Sequence, residues 1–269
     1  MQPIRAIVTG ASSGIGREIA VELARRVAAE SPAAESPAEQ SRIVVHYRSN
    51  LEGARETVRQ IHRFGIQTHL VASDIRDADD RRELVRQAWD FLETPTTWIN
   101  NAGADVLTGD AKDGSFENKL RLLMETDVLG TIELTRAVVQ RWSSASDLPA
   151  QPPSVTMIGW DQAPDGMEGD AGQMFGPVKA AVMAFANSLA QDLAPRIRVN
   201  TVAPGWIRTA WGESTDAYWD RRAREQSLMR RWGTPQDVAA AVCYVADPAN
   251  SFCTGQTLVV NGGFDRTHR

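Results

Sequence analysis

Apolar residues gather into seven short runs along the chain, at residues 4–9, 42–47, 67–72, 96–100, 154–158, 197–203 and 256–260. Runs of this length, rich in Ile and Val and bounded by polar or Gly-bearing breaks, predict buried strands. Segments with helical apolar spacing separate them, near 14–29, 50–64, 79–92, 117–141, 177–193 and 235–246. Val178, Val182, Phe185 and Leu189 show that period, falling on one helix face. Strands alternating with helices imply parallel βαβ units with right-handed crossovers, hence an α/β, doubly wound sheet with helices on both faces. The pattern is read as a single domain over residues 1–269. Ligands of such sheets bind beyond the carboxyl ends of the strands, where the strand order reverses.

One stretch breaks the rhythm. AESPAAESPA (29–38) is a five-residue unit in tandem, with two prolines that prevent a continuous helix and little to bury. It predicts a mobile surface insertion over 29–41.

Composition narrows the classes. Hydrophobic residues make up 42% and charged residues 23%, as in ordinary water-soluble domains. With 29 basic against 34 acidic residues the net charge is −5, so no overall field favours nucleic acid or an anionic membrane. No apolar run approaches the roughly 20 residues that span a bilayer. The first strand pattern begins almost at once, which leaves no room for a secretion signal and points to a cytoplasmic protein. Cys243 and Cys253 have no matching His cluster, so they predict neither a metal site nor a disulfide framework but two buried thiols.

TGASSGIG (9–16) follows the first strand and opens a helix, the setting of a phosphate-binding turn. Gly10 suits the tight turn, Gly14 lets a ligand approach the backbone, and Gly16 lets the helix pack on the sheet. The helix start then offers unpaired N–H groups and a positive dipole end to a pyrophosphate.

With NNAG (100–103), RVNTVAPGWIRT (198–209) and TGQTLVVNGG (254–263), this turn makes the chain resemble the classical short-chain dehydrogenase/reductases. The likeness runs from about residue 4 to residue 264 and is nearest to 3-oxoacyl-acyl-carrier-protein reductases, with some to pteridine reductases. It implies a Rossmann fold with a seven-stranded parallel sheet, a nicotinamide dinucleotide, and a small carbonyl or acyl substrate. By this likeness Gly10, Ser12, Ser13, Gly14, Ile15 and Gly16 form the dinucleotide turn, and Asp74 bonds the adenine edge. Asn101, Ala102 and Gly103 line the ribose, while Pro204, Gly205, Ile207 and Thr209 cup the nicotinamide carboxamide. The charged residue closing the second strand is Arg48, suited to a 2′-phosphate, so NADP is expected, with NAD the alternative.

The reaction centre departs from the family pattern. The family's proton donor is the Tyr of Y-x-x-x-K, helped by a Ser and an Asn. Here Lys179 is present and also serves the cofactor ribose, but Phe175 replaces the Tyr in QMFGPVK (173–179). The Ser position falls on Trp160 or Asp161, and the Asn position on Asp127. No other tyrosine restores the motif, since Tyr47, Tyr218 and Tyr244 do not precede a Lys by four. Two readings follow. In one, an NADP-linked carbonyl or 3-oxoacyl reductase uses an unusual acid; Asp161, its pKa raised beside Trp160, is the candidate. In the other, the chain is a cofactor-binding pseudoenzyme with a regulatory or assembly role.

Residues 205–234 are the substrate lid by the same likeness. They hold Trp206, Trp211, Trp219 and Trp232, half of the eight tryptophans, with Arg221, Arg222, Arg224, Arg230 and Arg231. Trp160, Trp206 and Trp211 are expected against substrate, the aromatic walls suiting a planar or acyl ligand and the arginines an acidic carrier. Helices 117–141 and 177–193, with the small residues Ala180, Ala181, Ala184 and Ala190, are where family members dimerise or tetramerise.

Overall fold

The computed structural model describes residues 3–29, 40–145 and 151–264. Seven strands form one parallel sheet in the order β3-β2-β1-β4-β5-β6-β7. They are β1 (Arg5–Val8), β2 (Arg42–Tyr47), β3 (Gln67–Ala72), β4 (Thr97–Asn100), β5 (Ser154–Ile158), β6 (Arg198–Pro204) and β7 (Thr257–Val260). Strand order turns at β1, where β2 lies on one side and β4 on the other. β4, β5 and β6 are buried along their whole length, their polar side chains such as Asn100, Thr156 and Asn200 included.

Helices cover both faces: α1 (Gly14–Ala29), α2 (Leu51–His62), α3 (Ala78–Leu92), α4 (Phe116–Leu123), α5 (Thr131–Ser144), α6 (Gly169–Leu193), α7 (Ala210–Ser214), α8 (Ala217–Gln226) and α9 (Pro235–Ala246). Two apolar clusters result. One joins Trp98, Val155 and Val199 to α3, α5 and α6; the other joins Ile7's neighbours Ala6 and Val8 to α1, α2 and α9. Trp142 seals the first by donating its indole N–H to Pro95 O at 2.9 Å. On the far side Arg198, 3% exposed, donates to the carbonyls of Val245, Ala246 and Asp247 at 2.8–3.2 Å. It thereby satisfies the open C-terminal end of α9.

Two elements differ from the sequence pattern. The helix expected at 117–141 is interrupted by a π-helical stretch, Met124–Gly130, between α4 and α5. The helix expected to start at 177 begins at Gly169, with Pro177 inside it. A proline usually marks a helix start because it lacks the N–H. Here Gly172, which packs so close to Met167 O that a Cβ would lie 2.0 Å from it, lets the helix begin two turns earlier.

Of the two cysteines, Cys243 is buried and its thiol is pushed up to about 12 by burial, whereas Cys253 is half-buried rather than buried. Among the described residues no group of His, Cys, Asp and Glu could hold a metal, and no helix is long and apolar enough to cross a membrane. All but the edges of the AESPA segment lie outside the described residues.

Candidate active site

Beyond the carboxyl ends of β1, β2 and β4 lies an outer cavity of about 360 Å³. Gly10, Ser12, Ser13, Arg48, Asp74, Asn101, Ala102 and Gly103 line it, joined by Ser49 and Asn50. The turn at its floor needs glycine. Gly10 has φ +64, and a Cβ on it would lie 2.8 Å from Ala102 Cα; a Cβ on Gly16 would lie 2.3 Å from Gly10 O. Asn101 holds the turn from β4, its Nδ2 donating to Thr9 O at 2.9 Å and Gly10 O at 3.1 Å. Arg17 braces it from behind, donating to Ser12 O at 2.6 Å and to Thr57 Oγ1 at 3.2 Å.

His46 completes this bracing. Its ring is 2% exposed, and its Nδ1 accepts from Gly10 N–H at 3.1 Å while Nε2 meets Ser73 O at 3.0 Å. Those partners assign the proton to Nε2. Burial lowers its pKa to about 4, so the ring is neutral at pH 7. Asp74 lies across the cavity with its carboxylate in the fork of Arg76, whose Nε donates at 3.0 Å; these hydrogen bonds hold Asp74 below the ordinary carboxylate range.

Across Asn101, Gly103 and Asp105 the outer cavity adjoins an inner cleft of about 550 Å³, these residues lining both. Lys179, Phe175, Asp127, Trp160, Pro204, Gly205, Ile207 and Thr209 line the cleft, with Ile15 at its base. Lys179 Nζ pairs with Asp127 Oδ2 at 3.0 Å, and Asp127 Oδ1 accepts from Ala104 N–H at 2.7 Å. Asp127 is carried by the π-helical stretch, a distortion that recurs at functional sites because it re-aims side chains. A Cβ on Gly103 would meet Asp127 Oδ2 at 2.8 Å, so the carboxylate and the β4 loop are closely fitted.

Asp161 is not brought to this cleft. Its backbone N–H donates to Pro204 O, which turns the side chain towards the β7 end, where Oδ2 accepts from Asn261 Nδ2 at 3.0 Å. There it lines a separate cavity with Gln162, Arg221 and Glu225. Oδ1 is buried with no partner, and burial raises the pKa to about 6 against the opposing Asn261 hydrogen bond. The raised pKa agrees with the sequence reading, but the group lies apart from Lys179 and Phe175.

The segment after β6 leaves and returns at one point: Arg208 N–H donates to Gly233 O and Gly233 N–H to Trp206 O, both at 2.9 Å. Between them α7 and α8 carry a cluster in which Trp206 stacks on Trp211 at 6.1 Å and meets Trp219 at 5.8 Å and Trp232 at 6.1 Å. All four line the cleft beside Trp160. The lid arginines do not reach it. Arg222 pairs with Glu168, its Nη2 donating to Oε2 at 2.9 Å; Arg224 pairs with Asp220 and Arg231 with Asp237.

With this geometry in view, a family model described as enoyl-(acyl carrier protein) reductase matches residues 10–265. The chain belongs to the short-chain dehydrogenase/reductase family. It is 30% identical over 267 residues to the 3-oxoacyl-[acyl-carrier-protein] reductase FabG of Staphylococcus aureus, covering 96% of both chains. It is 31% identical to 3beta-hydroxysteroid dehydrogenase 1 of Eggerthella lenta, covering 96% of this chain and 92% of that one. Among solved structures it is similar to a 3-oxoacyl-[acyl-carrier protein] reductase from Brucella melitensis in complex with NAD, with TM-score 0.80, 27% identity, and 97% and 96% of the chains covered. A short chain dehydrogenase from Burkholderia cenocepacia in complex with NADP gives TM-score 0.79 at 25% identity, covering 97% and 98%.

Sequence reasoning missed several residues of this short-chain dehydrogenase/reductase site. Ser49 and Asn50 follow Arg48 directly and could have been read with it. His46, Arg17 and Thr57 carry no local signal, because each acts on the glycine turn from 36 to 46 positions away or through its far face.

Proposed function

We propose that the chain is a nicotinamide-dependent oxidoreductase that binds NADP(H), with NAD(H) as the alternative, along the outer cavity and inner cleft together. The observation that carries this reading is the shared wall of Asn101, Gly103 and Asp105, which makes one continuous bed from Arg48 to Lys179. The residues fit the group. Gly10 and Gly16 leave bare backbone where any Cβ would collide, and Arg48 stands free to meet a 2′-phosphate. Asp74 would take the adenine edge, Lys179 a ribose, and Pro204 to Thr209 the carboxamide. When bound, the reduced nicotinamide supplies a hydride.

What the chain's own residues supply is unusual. Lys179 is held by Asp127, so its charge is answered within the protein. Phe175 offers an apolar ring and no proton. A positioned general acid contributes roughly 10²–10⁴-fold in rate, so reduction of a neutral carbonyl here is slowed by about that factor. The lid over 205–234 encloses the substrate, and association through α4, α5 and α6 gives a homo-oligomer.

Phe175 and the Lys179–Asp127 pair also favour a second reading, a protein that binds NADP(H) without turnover and serves regulation or assembly. Anaerobic titration with NADPH separates the two, because five tryptophans in the cleft report binding through their fluorescence. Binding followed by oxidation on adding a carbonyl panel supports the oxidoreductase, and binding with no oxidation by any substrate class supports the second reading. Absence of binding overturns both.

A further inference from the structure

The inner cleft lacks the one group that neutral carbonyl reduction needs and has an excess of groups that attract a flat cation. Among the described residues no tyrosine, serine, histidine or cysteine lines it. Its threonine, Thr209, lies against the glycine turn, with its Cγ2 3.8 Å from where a Gly14 Cβ would be. Its ammonium, Lys179, is already in an ion pair. The charged residues in the lining are Asp105, Asp127 and Lys179, two carboxylates against one ammonium, and no arginine enters. One negative charge is therefore left over, in a cleft whose lining includes five indoles.

Those indoles already show their preference. The Arg222 guanidinium sits 5.8 Å from the Trp206 ring centroid and 5.2 Å from that of Trp219, while itself lining the neighbouring cavity. Trp160 and Trp211 line the cleft, and among the described residues no cation lies over either ring. Indole is the aromatic ring most attractive to a cation, and the attraction grows when the site excludes water.

We propose that the substrate of this cleft is a planar cation bearing a C=N⁺ bond, an iminium, rather than a neutral ketone or an acyl chain on a carrier. The proposal rests on the cofactor reading above. The chemistry balances without an acid. The hydride pair forms the new C–H bond, the C=N π pair moves onto nitrogen as a lone pair, the nicotinamide is oxidised, and no proton is transferred. Phe175 is then no defect: an apolar ring beside a cationic carbon excludes water that would hydrolyse the iminium. Asp127 keeps Lys179 from repelling the charged substrate, and Asp105 at the mouth attracts it.

The test uses the full chain. NADPH affinity is measured first by calorimetry. An N-methyl dihydroisoquinolinium and the uncharged bicyclic ketone tetralone are then compared for binding to the protein loaded with 1,4,5,6-tetrahydro-NADP, whose ring is uncharged and gives up no hydride, by quenching of indole fluorescence. A cation–π contribution of about 1–2 kcal/mol corresponds to roughly 5–30-fold tighter binding of the iminium. Enzyme-dependent loss of NADPH absorbance, corrected for the reaction without protein, is expected with the iminium. With tetralone it is expected to be lower by about 10²-fold or more. Asp105→Asn keeps an accepting oxygen for the Leu107 and Thr108 amides and, with its NADPH affinity measured alongside because Asp105 also lines the cofactor bed, should raise KM for the iminium more than KM for tetralone. Equal binding of the two ligands, comparable turnover of tetralone, or bound NADPH with no iminium reduction overturns the proposal. If calorimetry shows no NADPH binding, the underlying cofactor reading fails with it.

Discussion

Lys179 Nζ lies 3.0 Å from Asp127 Oδ2, so the ammonium that lines the cleft is paired with a carboxylate 3% exposed. Without a phenol to assist, an unpaired ammonium in a half-closed cleft would be costly, and Asp127 offsets that cost.

This relationship predicts a coupled result. Phe175→Tyr alone should raise kcat/KM for a small ketone by less than about 10-fold, because Asp127 still compensates the Lys179 charge that would acidify the new phenol. Phe175→Tyr with Asp127→Asn should raise it by roughly 10²–10⁴-fold, the full contribution of a positioned acid. A double-mutant cycle on NADPH oxidation measures the coupling. If the single variant reaches the double variant's rate, Asp127 does not govern the site.

His46 sets an acid limit on stability. Its folded pKa is lowered to about 4 from 6.5, so between these values the unfolded chain takes up a proton that the native state refuses. Stability from this residue is therefore complete above about pH 6.5 and falls as pH drops towards 4, by about 3 kcal/mol at most. Protonated Nδ1 could no longer accept from Gly10 N–H, so NADPH binding should weaken over the same window. His46→Gln should flatten that limb in urea titrations across pH.

Asp161 carries the opposite sign. Its folded pKa is raised to about 6 from 3.8, so the native state holds the proton more tightly, and stability falls as pH rises from about 4 to 6. Above pH 6 the native state holds a buried carboxylate with one oxygen unpartnered. Asp161→Asn removes that charge while keeping an oxygen for Asn261, and should stabilise the fold at pH 8 by about 1–3 kcal/mol. Because the residue lines a separate cavity, kcat should change little. A large kcat loss with unchanged NADPH affinity would instead restore Asp161 as the acid.

The strands and most helices were legible because burial decides them. β4, β5 and β6 are enclosed on both faces, and their ends fall within a residue of the sequence pattern. The glycine turn was legible for a similar reason, since only glycine fits at Gly10 and Gly16. What escaped depends on direction rather than residue type. Nothing in MIGWDQ says that Trp160 faces the cleft while Asp161 turns to Asn261, a choice made by the hydrogen bond from Asp161 N–H to Pro204 O. Nothing in METDVLG marks a π-helical stretch, because its extra residue per turn is imposed by packing: a Cβ on Gly130 would lie 2.9 Å from Ile75 O. The helix expected at 177–193 would open on Pro177, where a missing N–H is tolerated best, yet α6 accommodates that proline internally.

Arg48 gives the last prediction, on the cofactor. It is exposed at the end of β2 in the outer cavity, beside Ser49 and Asn50, and its charge acts on the Asp74 carboxylate without a direct ion pair to any described residue. Asp74, the nearest acid in the same lining, is already forked by Arg76. Arg48 is thus free to pair with a 2′-phosphate, and a charge-assisted hydrogen bond of this kind is worth about 1.5–3 kcal/mol. Arg48→Asp should therefore weaken NADPH by roughly 10–150-fold. The new carboxylate can accept from a ribose 2′-OH, so NADH should be held or improved, and preference should reverse. Competitive titration of the two reduced cofactors by calorimetry reads the ratio directly. Equal affinities in the wild-type chain would show that the phosphate is not held at Arg48. A variant losing both cofactors alike would mean that the residue supports the glycine turn and does not select between them.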